Sequence, residues 1–298
     1  MHFRLALSLL PLTAHAINII SSNDDGWAEI NIRTLYDSLT AAGHSVVISA
    51  PAENKSGTGS DDATPSNLTE ACEFDSCPSG SPAYGYNASQ PRWNYVNSYP
   101  VTSIKYGIDT LSEKFFSGSP ALAVSGPNVG ANLGLAVFFS GTAGAATYAA
   151  EAGIPAIAFS GSTGSQTAWD VSVPNYSTVY AELSTKLTDA LIASGTPYLP
   201  DDIWLNVNFG AVSDSSCTSA DDFKFVLSRI FTAIPLISGD DVETCDNDKR
   251  LPTETKVVDS DGCYASVSVG VASDKLDANA TMQGVVLEKL SGLLTCLD

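Results

Sequence analysis

A short apolar run that ends beside two adjacent acidic residues constrains the fold of this 298-residue chain more than any other feature. Residues 17–20 are typical of a buried β-strand, and they lead into a polar turn that carries Asp24 and Asp25. Open α/β sheets gather functional side chains outside the carboxyl ends of their strands. Adjacent carboxylates repel each other, and a bound cation or a shared proton offsets that repulsion. The turn therefore predicts a cation site or, on the turn chemistry of Asn, Asp and Gly alone, simply a well-formed turn.

The segments that follow predict a mainly parallel α/β sheet. Ile30, Leu35 and Leu39 recur on one helix face before Gly43, and residues 46–51 are typical of a second buried strand. Strand, helix and strand in this order form a βαβ unit, whose two strands are parallel. The first turn lacks the G-x-G-x-x-G spacing of a dinucleotide site. We therefore predict a Rossmann-like, three-layer αβα fold that does not bind a dinucleotide.

A second informative stretch predicts an anion site. Residues 121–125 are typical of a short buried strand, and the glycine-rich residues 126–134 let backbone N–H groups approach an anion closely. The small residues 140–146 then begin a helix, whose N-terminal amides and hydroxyls favour phosphate. Residues 153–160 are typical of another strand. Combined with the acidic turn, these segments indicate one site for a metal ion and a phosphate group.

The ends of the chain and its cysteines indicate secretion. Residues 1–16 have the basic start, the apolar run and the Ala-His-Ala site of a signal peptide, so we expect a secreted protein that begins near Ile17. Five N-glycosylation sequons follow, at Asn54, Asn67, Asn87, Asn175 and Asn279. Six cysteines predict three disulfides, one of them between Cys72 and Cys77. The remaining four can pair in three ways, and they are Cys217, Cys245, Cys263 and Cys296.

Charge limits the partners. The chain has 14 basic and 33 acidic residues, a net charge of minus 19 and a pI near 4.2. Such a surface repels nucleic-acid backbones and anionic membranes, so we expect neither as a partner. Because carboxylates neutralise in acid without loss of solubility, we also expect an acidic pH optimum for any activity.

The rest of the chain gives coarser expectations. Residues 61–95, rich in Ser, Pro, Asn and Gly, predict an excursion with little regular structure. Helices are predicted over residues 99–111, 173–195 and 285–294, and a strand over residues 203–209. We expect residues 17–298 to form a single domain, with its motifs in residues 17–162 and a C-terminal extension from about residue 213. His44, at a helix end, is expected to be structural.

Five blocks of residues occur in a fixed order over residues 17–162. They are Ser22-Asn23-Asp24-Asp25-Gly26, Ala50-Pro51 with Lys55-Ser56-Gly57, residues 125–134, residues 140–146 and residues 153–158. In these blocks and their order the chain resembles the SurE family, the survival-protein phosphatases and nucleotidases. Together with the predicted signal peptide and the sequons, the resemblance indicates a secreted eukaryotic member of the family, and we expect it to come from a fungus.

The resemblance implies one divalent cation, magnesium or manganese, and hydrolysis of phosphate monoesters such as nucleoside 5′- or 3′-monophosphates. Carried over by position, it implies that the metal ligands are Asp24, Asp25, Ser56 and Asn128. It places the phosphate against Asn23, Asn132, Ser140, Gly141 and Thr142. The residues that would take part in catalysis are Asp24, Asp25, Asn128, Ser140 and Thr142.

The expected chemistry is hydrolysis by water that the cation activates, without a further cofactor. Ser140, Thr142 and loop amides would stabilise negative charge on the phosphoryl oxygens, and Asp24 or Asp25 would orient the water. The resemblance also favours a homodimer or larger homo-oligomer.

Two other function classes stay open from the sequence. One is a different secreted hydrolase, such as a glycosidase that uses Asp24 with another carboxylate, although no aromatic sugar platform lies beside it in sequence. The other is a catalytically impaired glycoprotein that binds a divalent cation or a phosphate ligand. It is motivated by the altered segment at residues 26–30, which is shorter than the corresponding family segment. A separate departure from the family pattern is Pro127, which replaces the usual isoleucine of the glycine-rich loop. Chelator-sensitive hydrolysis of a generic phosphate ester separates both from a metal phosphatase.

Overall fold

A computed structural model describes residues 16–298, so the predicted signal peptide lies outside the described residues except for Ala16. Within this range ten strands form one sheet. They are β1 (Asn18–Ser22), β2 (Ser45–Pro51), β3 (Tyr84–Asn87), β4 (Gln90–Val96), β5 (Leu122–Val129), β6 (Ala156–Gly161), β7 (Ile203–Phe209), β8 (Lys224–Ser228), β9 (Tyr264–Val271) and β10 (Leu294–Thr295). Their order across the sheet is β10-β8-β9-β7-β6-β5-β1-β2-β4-β3.

Most of the sheet is parallel, which confirms the predicted fold class. Strands β4, β2, β1, β5, β6 and β7 run in one direction, and β3 is antiparallel to β4 at one edge. At the other side β9 is antiparallel to β7, and β8 and β10 follow the direction of β9. β1 lies between β2 and β5, so the chain changes its direction of progress across the sheet there. Such a switch point opens a crevice outside the carboxyl ends of the two strands.

Helices cover both faces of the sheet. They are α1 (Ile30–Ala41), α2 (Pro100–Tyr106), α3 (Ser112–Phe116), α4 (Gly141–Glu151), α5 (Asn175–Ala193), α6 (Glu254–Val258) and α7 (Ala280–Lys289). Neighbouring strand residues point to opposite faces, so Ile19 packs in the core with α1 and α5, whereas Ile20 packs in the core with α2 and α4. Each fully buried aliphatic side chain contributes roughly 1.5–3 kcal/mol. The αβα sandwich thus rests on two apolar layers.

The predicted α1, β2, α5 and β7 are confirmed, and two expectations are wrong. The second half of residues 61–95 is the hairpin of β3 and β4, and β4 pairs with β2. Alternation was hidden by its Pro, Arg and Asn residues, although Tyr95 is buried and Trp93 packs edge-on against Tyr36. The last helix begins at Ala280 and not at residue 285, because the Asn279 side chain accepts the first free N–H groups and caps it.

The glycine-rich segment also differs from expectation at its start. β5 continues through Gly126 to Val129, with a shift of register between Ser125 and Asn128. A Cβ on Gly126 would lie 2.1 Å from the Phe159 carbonyl oxygen, so only glycine permits this close approach.

Three disulfides close the fold. Cys72–Cys77 confirms the predicted local bridge, and the two pairs left open are Cys217–Cys263 and Cys245–Cys296. Both of the latter lie in the C-terminal region, whose strands extend the same sheet. Between residues 16 and 298, no helix combines the length and the hydrophobicity that a membrane crossing requires.

Candidate active site

Predicted site residues from three separate segments meet at the crevice beside β1. Asp24 and Asp25 follow β1, Asn128 lies near the end of β5, and Thr142 belongs to the first turn of α4. Their side chains are buried, with Asp24 2% and Asp25 0% exposed. The switch point of the sheet therefore assembles oxygen-bearing side chains that are more than 100 residues apart in the chain.

Asp24 is bound by the N-terminus of α4. Its Oδ2 accepts the Gly141 N–H at 3.0 Å, and its Oδ1 accepts the Thr142 hydroxyl at 2.6 Å. A Cβ on Gly141 would lie 2.8 Å from the Asp24 Cβ, so a larger residue would push the helix away from the carboxylate. The positive end of the helix dipole favours an anion at this place. In the protein itself, that anion is the Asp24 carboxylate.

Asp25 is held from the opposite side. Its Oδ2 accepts the Val129 N–H at 2.8 Å, and its Oδ1 accepts a short hydrogen bond from the Gln166 side-chain amide. Burial and then the charge of Asp24 raise the pKa of Asp25 to about 7. Burial also raises the pKa of Asp24, against the opposing effect of the Thr142 hydroxyl. The protein environment alone therefore disfavours two negative charges here.

The part of the chain that the structure describes supplies no positive charge to this pair. Among the ion pairs formed by residues 16–298, none joins a Lys or Arg to Asp24 or Asp25. The Thr142 hydroxyl also lies 3.4 Å from the Asn128 Oδ1, so that oxygen and the Asp24 Oδ1 face the same group. Two carboxylates and an amide oxygen fit a hard cation such as Mg²⁺ or Mn²⁺. The described residues contain no cluster of three or more Asp, Glu, His or Cys suited to a metal, so the fit depends on this mixed set.

Ser56 lies apart from the other three predicted ligands. It is exposed, and its hydroxyl donates to the Asn54 side chain at 2.7 Å. The loop that carries it is nevertheless attached to the acidic turn, because the Lys55 N–H donates to the Asp24 carbonyl oxygen at 2.7 Å. The structure thus places Ser56 on a loop anchored beside the site, without a hydrogen bond from its side chain to Asp24, Asp25 or Asn128.

The predicted phosphate contacts already have partners in the protein. The Asn23 side chain bonds to both the N–H and the carbonyl of Gly26, and the Asn132 amide donates to the Ser160 hydroxyl. Gly141 and Thr142 donate to Asp24. The Ser140 Oγ caps α4 by accepting the Ala143 N–H, which leaves the hydroxyl proton free to donate.

Sequence reasoning missed the groups that support these loops. Gln166 lies in a polar loop that follows β6 at the same edge of the sheet. Its position after a buried strand was the available signal. Asn206 and Asn208 are buried on β7, and both donate to the Asn132 carbonyl, while the Asn208 Oδ1 accepts the Asn132 N–H. Two Asn residues at alternate positions of an apolar strand were the available signal, since buried amides need partners.

Glu254 completes that support. Its carboxyl accepts the Gly134 N–H at 2.7 Å, the Asn206 amide at 2.9 Å and the Ser268 hydroxyl at 3.0 Å. Burial raises its pKa to about 8, against the effect of these three donors. His44 has the structural role expected of it. Its Nε2 lies 2.8 Å from the Asp189 carboxylate, and this contact is remote from the site.

Comparison with known proteins identifies relatives of this chain. The family profile described as "Survival protein SurE" matches residues 19–228. An acid phosphatase of Yarrowia lipolytica is 35% identical over 292 residues, which cover 88% of this chain and 81% of that protein. The 5′-nucleotidase SurE of Solidesulfovibrio magneticus is 35% identical over 146 residues, 48% of this chain and 50% of the relative, so the chain spans about half of that protein. The crystal structure of the SurE protein from Aquifex aeolicus shares the fold, with a TM-score of 0.59 at 21% identity over 85% of this chain and 93% of that chain.

Proposed function

Because the chain belongs to the SurE family, we propose that it is a phosphomonoesterase of the acid phosphatase or nucleotidase type that works with one bound divalent cation. The relatives named acid phosphatase and 5′-nucleotidase support hydrolysis of small phosphate esters. One observation supports the metal dependence: Asp24 and Asp25 are buried side by side and, from residues 16–298, accept hydrogen bonds only from neutral donors. Burial of two like charges without a partner is unfavourable, and a cation removes that penalty.

Each residue of the site has a proposed role. When bound, magnesium or manganese would supply a more acidic water and polarise the phosphoryl group. Asp24, Asp25 and Asn128 would hold the ion, and Thr142 would keep the oxygens of Asp24 and Asn128 on the same side. The Ser140 hydroxyl would donate to a phosphoryl oxygen at the N-terminus of α4, where negative charge is favoured.

Hydrolysis of p-nitrophenyl phosphate between pH 4 and 8 tests this function. We expect activity that EDTA removes and Mg²⁺ or Mn²⁺ restores, with an optimum on the acidic side. Asp24→Asn is expected to be inactive, whereas Asp109→Asn, a change at an exposed acid away from the site, should behave like the wild type. A folded protein without turnover under any of these conditions would overturn the proposed phosphatase activity. The alternative would then be a protein that only binds a cation or a phosphate ligand. An active protein then justifies a screen of nucleoside 5′- and 3′-monophosphates.

We also propose that the protein is secreted. The three disulfides join all six cysteines, as expected in an oxidising compartment, and none of the five sequon asparagines is buried. Expression in a secreting eukaryotic host should deliver the protein to the medium with a mass that falls after treatment with an N-glycosidase. Retention inside the cells, or an unchanged mass, would contradict secretion or glycosylation respectively.

A further inference from the structure

Glu73 lies directly against the turn that carries the acidic pair. Its Oε1 accepts the Ala28 N–H at 3.3 Å, and a Cβ on Gly26 would lie 2.0 Å from the same oxygen. Gly26 has φ +109°, a conformation that L side chains rarely adopt, so a glycine is needed here for two reasons. The carboxyl of Glu73 therefore occupies space that any other residue at position 26 would take.

The same residue contacts the loop that carries Ser56. The Glu73 N–H donates to the Ala52 carbonyl at 3.2 Å, and the Asn54 backbone N–H faces the Glu73 carboxyl. The next residue of this loop is Lys55, whose N–H donates to the Asp24 carbonyl. Glu73 thus touches both segments that supply the predicted ligands on this side of the site.

A small disulfide loop fixes Glu73 in place. Cys72 and Cys77 are bonded, and the Cys72 N–H donates to the Cys77 carbonyl at 2.9 Å. Within the loop the Ser76 hydroxyl donates to the Glu73 carbonyl at 2.7 Å and accepts the indole N–H of Trp27 at 2.9 Å. Because Trp27 is buried just after the acidic turn, the loop is attached to that turn by a second, independent contact.

We propose that Glu73 is a positioning residue for the cation site, and that the Cys72–Cys77 loop holds its carboxyl between the acidic turn and the Ser56 loop. The inference rests on the proposed function, because it concerns residues that would hold the ion. Residues that orient metal ligands without touching the metal typically change metal affinity about 10- to 100-fold when they are removed.

Direct Mn²⁺ binding, followed by electron paramagnetic resonance of free Mn²⁺, tests the proposal without relying on turnover. We expect Glu73→Ala to bind Mn²⁺ about 10-fold more weakly than the wild type, the lower end of the range for such residues. Glu73→Gln keeps the acceptor for the Ala28 N–H and the shape of the side chain, so it should bind within about 3-fold of the wild type. Glu70→Ala, a change at an exposed acid on the same excursion, is the matched control and should bind unchanged. Hydrolysis by Glu73→Ala should recover at high Mn²⁺, since the loss lies in affinity.

The disulfide provides a second arm. The double variant Cys72→Ser/Cys77→Ser should weaken Mn²⁺ binding as Glu73→Ala does, and adding Glu73→Ala to it should cause little further loss, because both changes remove one support. Unchanged Mn²⁺ affinity in a folded Glu73→Ala variant would overturn the proposal. If that variant does not fold, unchanged affinity in the cysteine variant would overturn it instead. Failure of the wild type to bind Mn²⁺ would be a different result, because it would remove the proposed cation site itself.

Discussion

Two acidic pairs with little exposure to solvent are stabilised in opposite ways in this protein. Asp241 and Asp277 share the buried Arg229, whose guanidinium lies 2.9 Å from one carboxylate and 3.2 Å from the other. Asp24 and Asp25 are at least as deeply buried, yet within the described range their side chains accept hydrogen bonds only from backbone amides, a hydroxyl and a side-chain amide. The first pair is complete within the chain. For the second pair the described residues provide no such charge, so a bound cation or a shared proton is left to offset the repulsion.

Under the proposed function, the contrast separates a structural ion cluster from a cation-binding site. Taking a charge out of water costs several kcal/mol, and an arginine in good geometry offsets that cost. At the acidic turn the described residues provide no such offset, so under the proposed function we expect lower stability there when no cation is bound. Such a local violation of the rules that stabilise a fold is expected mainly at functional sites. This is the physical reason to place the function at Asp24 and Asp25 and not at the C-terminal cluster.

Removing the Arg229 guanidinium should have the largest effect on stability. Arg229→Met leaves the buried Asp241 with only the partly exposed Arg250 and removes the guanidinium that contacts the partly buried Asp277, so we expect the free energy of unfolding to fall by about 3 kcal/mol. Equilibrium denaturation in urea measures the change. Arg250→Met is the matched control, because Arg250 contacts the same Asp241 oxygen with a side chain that is 38% exposed. We expect it to cost about 1 kcal/mol or less, and equal losses in the two variants would contradict the distinction between the clusters.

Neutralising one carboxylate of the acidic turn should raise the stability of the cation-free protein. Asp25→Asn removes one of two adjacent buried charges, and Gln166 can turn its amide to keep the hydrogen bond. We expect phosphatase activity to fall more than about 100-fold, beyond the usual loss for a residue that only supports a ligand. In EDTA at pH 7, however, the variant should melt at a higher temperature than the wild type.

Addition of Mn²⁺ sharpens this comparison. A ligand present at about 100 times its dissociation constant stabilises the folded state by about 2.7 kcal/mol. Saturating Mn²⁺ should therefore raise the melting temperature of the wild type and leave Asp25→Asn nearly unchanged. Asp241→Asn should show the opposite pattern, with lower stability and a normal response to Mn²⁺. A lower melting temperature for Asp25→Asn in EDTA would mean that the acidic pair is not under repulsion.

The sheet was predictable where the signal is local. Strands β1, β2 and β7 and helices α1 and α5 show their periodicity within a few residues of sequence. The hairpin of β3 and β4 was missed because β4 is stabilised by distant partners, with Tyr36 packing on Trp93, while its own sequence contains Pro91 and Arg92. The antiparallel entry of β9 beside β7 was equally invisible, since pairing of distant strands is a tertiary choice.

The site was predictable only in part, for a related reason. The acidic turn and the start of α4 announce themselves through residue chemistry, and the structure brings Asp24, Asp25, Asn128 and Thr142 together. Their roles as ligands and phosphate contacts stay predictions. Gln166 was missed because it reaches Asp25 from 141 positions away in the chain, and no local pattern encodes that contact.

A buried acid behind the site should make stability fall as pH rises. The pKa of Glu254 is about 8 in the folded protein and near 4.5 when the residue is exposed, so the folded state binds the proton more tightly. Its contribution is fully present below pH 4.5 and is lost as pH rises towards 8, by about 1.4 kcal/mol for each pH unit within that window. Glu254→Gln imitates the neutral acid, so the slope of unfolding free energy between pH 5.5 and 6.5 should be about 1.4 kcal/mol shallower than in the wild type. An unchanged slope would show that Glu254 is ionised in the folded protein.

The smallest expected effect concerns Gln166, which orients the Asp25 carboxylate without changing its charge. Gln166→Ala removes one hydrogen bond to the Asp25 Oδ1 but leaves both carboxylates in place, so Mn²⁺ affinity should fall about 10-fold or less. Thr167→Ala, a change in the same loop, is the control, since the Thr167 hydroxyl contacts Ser165 and Tyr176 and not the acidic pair. Because the charge is unchanged, the melting temperature of Gln166→Ala in EDTA should not rise as it does for Asp25→Asn. A loss of Mn²⁺ binding as large as that of Asp25→Asn would mean that the orientation of the carboxylate, and not its charge alone, determines whether the site can hold a cation.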